Sequence, residues 1–312
     1  MEDKVPDPFQ QRNEAGWQMK QLTVLSGKGG TGKTTITASF SALARNAVVA
    51  DCDVDAPDLH MLLHPQISEM KEFKGSKLAV IDETKCTGCG LCREKCRFDA
   101  IIENIKVDPF ACEGCGVCTV VCPLNAIALT EKISGHAYIS KTKHGFMSHA
   151  LLSPGESNSG KLVTLVRQNA KTLAEREDAD LILIDGSPGI GCPVIASVTG
   201  VDAALVVTEP TMSGIHDLER VLRLLRHFDV QPFVSINMHD INKDNTARIE
   251  HFCRKNGIDV VGKIPFSQIV TEAMVCGKTV VEYSPRSEVS KEIKNVWDIT
   301  RRNLQCARDL KR

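Results

Sequence analysis

Short apolar runs recur along most of this chain, and stretches with a helical apolar stripe lie between them. Such runs, bounded by polar residues, are typical of strands buried on both faces of a sheet. They predict strands at Leu22–Leu25, Val48–Asp51, Leu181–Asp185, Ala203–Thr208, Phe233–Asn237 and Val260–Ile264. The stripes predict helices at Lys33–Arg45, Ile215–Phe228 and Val289–Leu310. Because strands alternate with helices, we expect an α/β fold with a doubly wound, mostly parallel sheet.

One central segment interrupts this alternation. Cysteine and glycine dominate from about residue 81 to Pro123, and apolar alternation returns at Ile127–Leu129. Residues 130–160 are rich in serine, glycine, histidine and lysine, which predicts connecting structure. We therefore expect a polar lead-in over 1–20, the first part of the α/β domain over 21–80, an inserted domain over 81–130, and the second part over 131–312.

The composition is that of an ordinary globular protein, and the charge argues against some classes of partner. The 312 residues carry a net charge of −1, and aromatic residues make up 4%. We therefore expect no binding to nucleic acid and none to an anionic membrane. The chain has no apolar targeting segment at its start and no run of 18 apolar residues. These features predict a cytoplasmic protein whose 13 cysteines serve metal rather than disulfides.

A glycine-rich loop follows the first predicted strand and precedes the first predicted helix. Gly27-Lys28-Gly29-Gly30-Thr31-Gly32-Lys33-Thr34 matches the pattern G-x4-G-K-T. Glycines let backbone amides surround phosphate oxygens, while the lysine reaches the β- and γ-phosphates and the next hydroxyl binds Mg²⁺. Lys33 is therefore a predicted catalytic residue. The predicted nucleotide-binding residues are Gly27, Gly29, Gly30, Thr31, Gly32, Lys33, Thr34 and Thr35.

Three aspartates lie at the ends of predicted strands, where a parallel sheet places its nucleotide crevice. Asp185 closes an apolar strand as a Walker-B-type aspartate does, and we expect it to bind Mg²⁺ together with Thr34. Gly186–Gly189 would then sense the γ-phosphate. Asp51 and Asp53 follow the second strand. We expect Asp51 near Mg²⁺ and Asp53 to orient the attacking water.

Eight cysteines form two copies of the pattern C-x2-C-x2-C-x3-C, offset by 26 residues from Cys86 to Cys112. This spacing resembles that of bacterial two-cluster ferredoxins, in which the fourth cysteine of each run ligates the other cluster. The inserted domain is therefore expected to be an α+β domain of that kind. One [4Fe-4S] cluster would lie on Cys86, Cys89, Cys92 and Cys122, and a second on Cys96, Cys112, Cys115 and Cys118.

Structural zinc is the alternative for these cysteines. Zinc sites usually pair two C-x2-C units across a longer gap. Three successive cysteines at x2 spacing, twice over, favour iron–sulfur clusters. One departure from the pattern is Arg97, which replaces the proline that follows the fourth cysteine in the second run as Pro123. This departure removes no ligand.

The extra lysine of the loop, Lys28, adds a family resemblance. With Asp51-Cys52-Asp53 and Ile184–Gly189, the loop resembles the deviant Walker A of the MinD, ParA and nitrogenase-iron-protein group, and the match covers most of residues 20–300. The chain looks closest to MinD-superfamily ATPases with an inserted ferredoxin domain. The resemblance implies a P-loop ATPase that uses ATP and Mg²⁺.

The same resemblance implies a sandwich dimer in which Lys28, as a catalytic residue, reaches the nucleotide of the partner. The dimer could be a homodimer or a heterodimer with a paralogous ATPase. The resemblance also suggests that Asn237 contacts adenine and that Pro265 lies near the base. A capping asparagine and a loop proline are the alternatives for these two residues.

Cys192 lies seven residues after Asp185, in the place of a cluster-ligating cysteine of the nitrogenase iron protein. The resemblance makes it a candidate interface thiol. A packed thiol is the alternative, since that protein uses two cysteines per subunit and no second candidate lies between Pro123 and Gly191. We expect the terminal helix to pack on the core rather than on a membrane. We expect a solvated loop at His136, His144 and His149.

These features together favour an ATPase that couples ATP to electron transfer, or to assembly of an iron–sulfur or metal cluster on a partner protein. A redox or metallocluster protein would be that partner. The alternative is a MinD- or ParA-like spatial organiser whose clusters are redox sensors or structural elements. A ligase-like enzyme of the same superfamily would need a glutaminase domain or partner, and no nucleophile arrangement of that kind is legible here.

Overall fold

The computed structural model describes residues 19–156 and 160–306. Its strands are β1 (Lys20–Leu25), β2 (Ala47–Asp51), β3 (Gln66–Phe73), β4 (Ser76–Ile81), β5 (Ile101–Ile102), β6 (Lys106–Val107), β7 (Ile127–Lys132), β8 (Gly135–Thr142), β9 (Gly145–Leu152), β10 (Leu181–Asp185), β11 (Ala203–Thr208), β12 (Gln231–Asn237) and β13 (Asp259–Ile264). Its helices are α1 (Lys33–Leu43), α2 (Leu59–Leu63), α3 (Leu91–Glu94), α4 (Val117–Val121), α5 (Gly160–Arg176), α6 (Cys192–Val198), α7 (Met212–His227), α8 (Lys243–Lys255), α9 (Gln268–Val275), α10 (Val280–Tyr283) and α11 (Glu288–Cys306).

One large sheet organises the molecule. Within the described residues it has nine strands in the order β13-β12-β11-β1-β10-β2-β9-β8-β3. All neighbours from β13 to β9 are parallel, whereas β8 and β3 are antiparallel additions at one edge. The predicted doubly wound, mostly parallel fold is therefore confirmed. This topology brings the carboxyl ends of β1, β2 and β10 side by side, where a ligand crevice forms in such sheets.

Helices bury both faces of the sheet. On one face, α5 and α7 pack against β2, β10 and β11, and a second core on the opposite face contains α1 and α11. The apolar stripe of α11 faces this second core, with Val289, Ile293 and Val296 buried, and Trp297 contacts Phe40 in a tilted arrangement with 4.9 Å between ring centroids. The predicted terminal helix thus packs on the protein. Residues 307–310 of its predicted range lie outside the described residues.

A small unit lies between β3 and β8. In it, β4 pairs with β7 and β5 pairs with β6, both antiparallel, and the short helices α3 and α4 each begin within a cysteine run. Because β4 begins at Ser76 and β7 ends at Lys132, this inserted unit starts five residues earlier than the predicted boundary at 81. The sequence missed this boundary because β4 finds its partner strand some 50 residues away.

The expectation of connecting structure over 130–160 is wrong for β8 and β9. These strands form an antiparallel hairpin that joins the main sheet beside β2. The sequence did not predict these strands because they contain polar residues. Those polar side chains form hydrogen bonds within the protein: Ser148 Oγ donates to the carbonyl of Val166, and Ser140 Oγ hydrogen-bonds with His149 Nε2 at 2.8 Å. His136 and His149 consequently lie on strands and not in a solvated loop.

The predicted lead-in over 1–20 lies almost wholly outside the described residues, and Lys20 already begins β1. Among the helices that the structure describes, none combines the length and the apolar character that crossing a bilayer requires.

Candidate functional site

The glycine-rich loop connects β1 to α1 and opens into a cleft of about 560 Å³. Gly32 has a φ of 88°, a conformation that side chains disfavour, and a Cβ there would lie 2.4 Å from Asn237 Nδ2. Glycine is therefore required at this position. Gly29, Gly30 and Thr31 also line the cleft, together with Lys33, Thr34 and Thr35. Gly27 does not line it: a Cβ there would lie 2.4 Å from the Cβ of Asp217, so this glycine permits close packing of the loop on α7.

Lys33 lies at the centre of a buried charge cluster. Its Nζ atom is 3.0 Å from Asp185 Oδ1, 3.3 Å from Asp53 Oδ2 and 3.3 Å from Thr34 Oγ1. Burial lowers the pKa of Lys33, but the carboxylates of Asp185 and Asp53 together raise it by more than burial lowers it. Its net pKa therefore lies above the ordinary value. Lys33 is therefore a cation held at the end of β1, where phosphates would enter.

The predicted Mg²⁺ ligands converge on the same point. Thr34 Oγ1 donates to Asp185 Oδ2 at 2.8 Å, and the neighbouring Asp51 is almost fully buried. Asp51 Oδ1 accepts from the backbone N–H of Asp53, whereas Oδ2 has no hydrogen-bond partner in the described structure. A buried carboxylate oxygen without a partner is costly, and a hard cation would satisfy it. Thr34, Asp51 and Asp185 therefore fit Mg²⁺.

The protonation of Asp51 depends on that cation. Burial raises the pKa of Asp51 well above its ordinary value, and the nearby Asp185 raises it further. Burial likewise raises the pKa of Asp53, although Lys33 opposes the effect. A divalent cation would reverse this repulsion among carboxylates, because it would be the largest local charge.

The two residues assigned to the base, Asn237 and Pro265, both line the cleft. Asn237 Nδ2 donates to the carbonyl of Thr31 at 2.8 Å, so this amide ties β12 to the phosphate loop. Pro265 lines the cleft beside Phe266 and Met274. Phe266 in turn donates its backbone N–H to Asp240 Oδ1 at 2.7 Å. Both predicted residues therefore lie at the cleft, and Asn237 already has a structural partner within it.

Lys28 points away from the cleft within its own chain. Its Nζ atom lies 2.7 Å from Glu209 Oε1 and 3.0 Å from Ser213 Oγ, and a third of its side chain stays exposed. The lysine is thus partly exposed at the surface, and the carboxylate of Glu209, directly after β11, balances its charge.

The loop that follows Asp185 is hydrogen-bonded to the segment after β2 and to the residue that precedes the glycine-rich loop. Ser187 Oγ donates to the carbonyl of Cys52 at 2.8 Å, and the N–H of Gly189 donates to the carbonyl of Ser26 at 2.9 Å. Ser187 and Gly191 line the cleft as well.

The eight repeat cysteines surround two separate cavities in the inserted unit. The structure brings together the two predicted sets of four, including the exchanged fourth cysteines. One cavity is lined by Cys86, Cys89, Cys92 and Cys122. The other is lined by Cys96, Cys112, Cys115 and Cys118. Neither set is disulfide-bonded.

The donor set around each cavity fits an iron–sulfur cluster. Within the described residues, no group of three or more His, Cys, Asp or Glu side chains is placed to hold one metal ion. Four cysteines line each cavity, and four thiolates are the number of ligands that a [4Fe-4S] cluster takes. Apolar side chains such as Leu91 and Ile105 complete the first cavity, and Phe98 and Val117 complete the second.

Cys192 is exposed at the start of α6, beside a groove that also contains Gly160 and Lys161. The groove's lining includes no second cysteine. Its predicted role as an interface thiol stays a prediction. Of the remaining cysteines, Cys52 and Cys253 are buried core thiols, whereas Cys276 is exposed.

Some residues of the site escaped the sequence argument. Thr37 Oγ1 donates to Asp185 Oδ1 at 2.9 Å, so a second hydroxyl of α1 orients that carboxylate. The sequence could have predicted this role, because Thr37 lies one helical turn after Lys33 and so on the same face of α1. No local sequence pattern predicts that Glu209 and Phe266 belong to the site, because each is placed there by a partner distant in the sequence.

Comparison with known proteins identifies the family of the domain that contains this site. The family described as the CobQ/CobB/MinD/ParA nucleotide binding domain matches residues 22–280. An uncharacterized protein of Methanocaldococcus jannaschii is 35% identical over 285 residues, which cover 89% of this chain and 95% of that protein. An iron-sulfur cluster carrier protein of Pyrococcus horikoshii is 24% identical, with 90% of this chain and 87% of that protein covered.

The fold has solved counterparts. The septum site-determining protein MinD complexed with Mg-ADP from Pyrococcus horikoshii superposes with a TM-score of 0.57 at 16% identity, and the match covers 93% of this chain and 99% of that one. This similarity supports the fold of the large domain.

Proposed function

Because this chain belongs to the family of CobQ/CobB/MinD/ParA nucleotide-binding domains and is a P-loop ATPase of the MinD/ParA type, we propose that it is a dimeric switch that carries two [4Fe-4S] clusters. ATP binding and hydrolysis would control electron transfer, or assembly of an iron–sulfur or metal cluster, on a partner protein. The partner would be a redox or metallocluster protein, and the compartment would be the cytoplasm. The inserted unit would be the cluster domain and the large sheet the ATPase domain.

One observation carries this proposal: four cysteines surround each of two cavities within a single inserted unit of an ATPase fold. Two cavities in one small unit favour electron exchange between their clusters. The similarity to iron-sulfur cluster carrier proteins supports a role in cluster chemistry for the ATPase frame itself.

The residues of the cleft have distinct roles in this proposal. Lys33 and the amides of the glycine loop would bind the β- and γ-phosphates, and Thr34, Asp51 and Asp185 would hold Mg²⁺, which offsets the charge that develops during phosphoryl transfer. Asp53 lies beside Lys33 and would orient the attacking water. Lys28 would leave Glu209 and complete the site of a second protomer, which makes hydrolysis dependent on the dimer. Asn237 and Pro265 would contact the base.

The proposal is tested by purifying the protein anaerobically and measuring its iron, its zinc and its EPR spectrum after reduction. We expect about eight irons per chain and the signals of reduced [4Fe-4S] clusters. A shift of those signals or of the potentials when ATP is added would show that the two sites are coupled. Two zinc ions and no iron would refute the cluster assignment. Iron-loaded protein with no ATP-dependent shift, and with ATP-dependent binding to a cellular surface, would favour the spatial organiser.

A further inference from the structure

We propose that the edge strand β3 pairs with β3 of a second copy of this chain, antiparallel and about a two-fold axis at Met70. Such a contact would join the main sheets of the two copies into one continuous sheet. The inference is independent of the proposed function, because the contact involves neither the nucleotide cleft nor the repeat cysteines. It depends on the exposure of β3, on its pairing with β8 and on the order of charges along it.

The strand β3 ends the nine-stranded sheet and is open along almost its whole length. Of its eight residues, the seven from Gln66 to Glu72 are exposed, and Phe73 is buried. The strand at the opposite end of the sheet, β13, differs: Val261 is buried, and Gly262 packs against Val296 of α11. An edge strand presents a row of backbone N–H and C=O groups on which a further strand can form. Within the described residues, β3 therefore presents an open sheet edge.

One face of this edge carries a row of side chains that stops at Met70. Met70 lies directly opposite Tyr138 of β8, which lies opposite His149 of β9. The rings of Tyr138 and His149 stack with 5.1 Å between their centroids. Met70 continues this row at the edge, where its side chain is 62% exposed. A second copy would place its own Met70 across the axis, so the two rows would join and bury both methionines.

The other face of β3 carries Glu69 and Lys71. Their partners on β8, Ile139 and Ala137, are buried in the core that contains α5, so these two side chains lie on the α5 side of the sheet. Glu69 pairs with Arg176 of α5 at 3.1 Å. The ammonium group of Lys71, in contrast, has no ion-pair partner among the described residues. This face of the edge thus carries a cation without a carboxylate.

The order of the charges fits a two-fold axis at Met70. Because opposed residues of an antiparallel pair share a face, the axis must pass through one residue of the strand. With Met70 on the axis, Glu69 of each copy lies directly opposite Lys71 of the other. An axis at Lys71 would oppose two lysines, and an axis at Glu69 two glutamates, which is destabilising. The sequence of β3 therefore favours a second copy of itself, in one register.

The strand also has two features that commonly protect sheet edges from pairing, a bulge and a lysine. Its register on β8 shifts between Ile67 and Glu69, which leaves Glu69–Phe73 regular and keeps the irregularity outside the three central pairs. In the proposed register Lys71 faces a carboxylate, so it supports the contact. Because the regular part is short, the contact is small, and we expect association at high protein concentration only.

Sedimentation velocity on the full-length, anaerobically purified protein without nucleotide, over a series of concentrations, tests this contact. We expect the wild type to pass from monomer to dimer as the concentration rises. Glu69→Lys and Lys71→Glu each replace two ion pairs by two like-charged pairs, so each variant alone should associate at least about tenfold more weakly. Both positions are exposed, and a nucleotide affinity equal to that of the wild type would show that the variants are folded.

A mixture of the two variants tests the register itself. In a mixed pair, the strand with two lysines meets the strand with two glutamates, and both cross-copy ion pairs are restored. We expect the mixture to associate about as tightly as the wild type, although neither variant does so alone. Glu72→Lys is the matched control, since Glu72 is exposed on the same strand but faces no charged residue in this register. It should keep wild-type association.

A wild type that stays monomeric at every concentration would overturn the proposal. Variants that associate as tightly as the wild type would also overturn it, as would a mixture that associates no better than its components. We expect Lys28→Ala to keep the nucleotide-free association, because Lys28 belongs to a different surface. Dilute samples, in which the edge contact dissociates, report the nucleotide-dependent dimer by itself, so the failure of one contact is distinguishable from the failure of the other.

Discussion

Around the ammonium group of Lys33, three carboxylates lie in a buried space: Asp185 and Asp53 contact it, and Asp51 lies close by. One lysine cannot balance three buried negative charges, which is why burial and mutual repulsion raise the pKa values of Asp51 and Asp53. A divalent cation bound here would supply the balancing charge. The nucleotide's phosphates would then compete with Asp53 for Lys33, and this would free Asp53 to act on water.

The role of Asp53 can be separated from binding. We expect Asp53→Asn to bind ATP at least as tightly as the wild type, because a negative charge near the phosphates is removed. We expect its kcat to fall by roughly 10²–10⁴-fold, the usual contribution of a positioned proton acceptor. Steady-state hydrolysis and nucleotide titration measure the two effects. Asp58→Asn, at an exposed position on the same cleft, is the control and should keep wild-type kcat. An unimpaired Asp53→Asn enzyme would contradict the assignment.

A second residue-scale prediction concerns His149 and pH. Burial, with a smaller contribution from the nearby His60, lowers the pKa of His149 to about 4. The unfolded chain, with an ordinary pKa of 6.5, therefore binds a proton more readily than the folded protein. Stability should be complete above about pH 6.5 and should decrease as the pH falls towards 4.

The comparison that isolates this effect uses His149→Gln. Between pH 7 and pH 5 we expect the wild type to lose about 2 kcal/mol more unfolding free energy than the variant does. Anaerobic urea unfolding at the two pH values measures it. Equal losses in both proteins would show that His149 titrates normally in the folded state.

At the scale of elements, the inserted unit depends on the exchange of fourth cysteines. The helices α3 and α4 each begin within a cysteine run, and the cysteine that follows each helix faces the cavity of the other run. The two cavities are thus interlocked. Loss of one exchanged cysteine should damage the cluster of the other run.

We therefore expect Cys122→Ala to impair the cluster of Cys86, Cys89 and Cys92, and Cys96→Ala to impair the other one. Each variant should lose about four of roughly eight irons, and the two should leave different EPR signals after reduction. Cys276→Ala, at an exposed thiol outside the unit, should change neither iron content nor spectrum. If each variant instead loses the cluster of its own run, the exchange is wrong.

At the scale of the whole molecule, two units with separate chemistry share one sheet edge. The insertion leaves the ATPase domain between β3 and β8, the antiparallel strands added to an otherwise parallel sheet. The nucleotide cleft lies several strands away, at the ends of β1, β2 and β10. The coupling proposed above would have to cross the strands that lie between the two sites, and a second protomer would add the contact that Lys28 is proposed to make.

Lys28 tests the assembly. We expect Lys28→Ala to bind ATP with unchanged affinity, to remain monomeric with ATP, and to hydrolyse it at least about tenfold more slowly, because the cross-protomer charge is missing. Sedimentation velocity with a non-hydrolysable analogue and hydrolysis assays measure this. Lys143→Ala, at an exposed lysine paired with Glu282, is the control. Nucleotide-dependent dimers of Lys28→Ala would show that the lysine acts within its own chain.

The sequence predicted the parallel sheet and the place of the glycine-rich loop between a strand and a helix, because both have local signatures. Continuous apolar runs mark strands buried on both faces, and the loop pattern marks a strand-to-helix turn. It did not reveal β3, β8 and β9. The edge strand β3 is largely exposed. The strands β8 and β9 contain buried serines that form hydrogen bonds with other elements or with each other. None of the three strands therefore shows the continuous apolar pattern of a central strand. The start of the insertion at Ser76 was missed for the same reason.

The sequence by itself determined the chemistry: thiolates at ferredoxin spacing, a phosphate loop and aspartates at strand ends. These depend on short-range spacing, which the chain order alone specifies. The tertiary structure decided which groups meet. It paired Lys28 with Glu209, left one oxygen of Asp51 without a partner, and joined Glu156 to Lys132 and Ser76 at the two ends of the inserted unit. Such contacts join residues far apart in the chain, because their partners are chosen by packing rather than by local pattern.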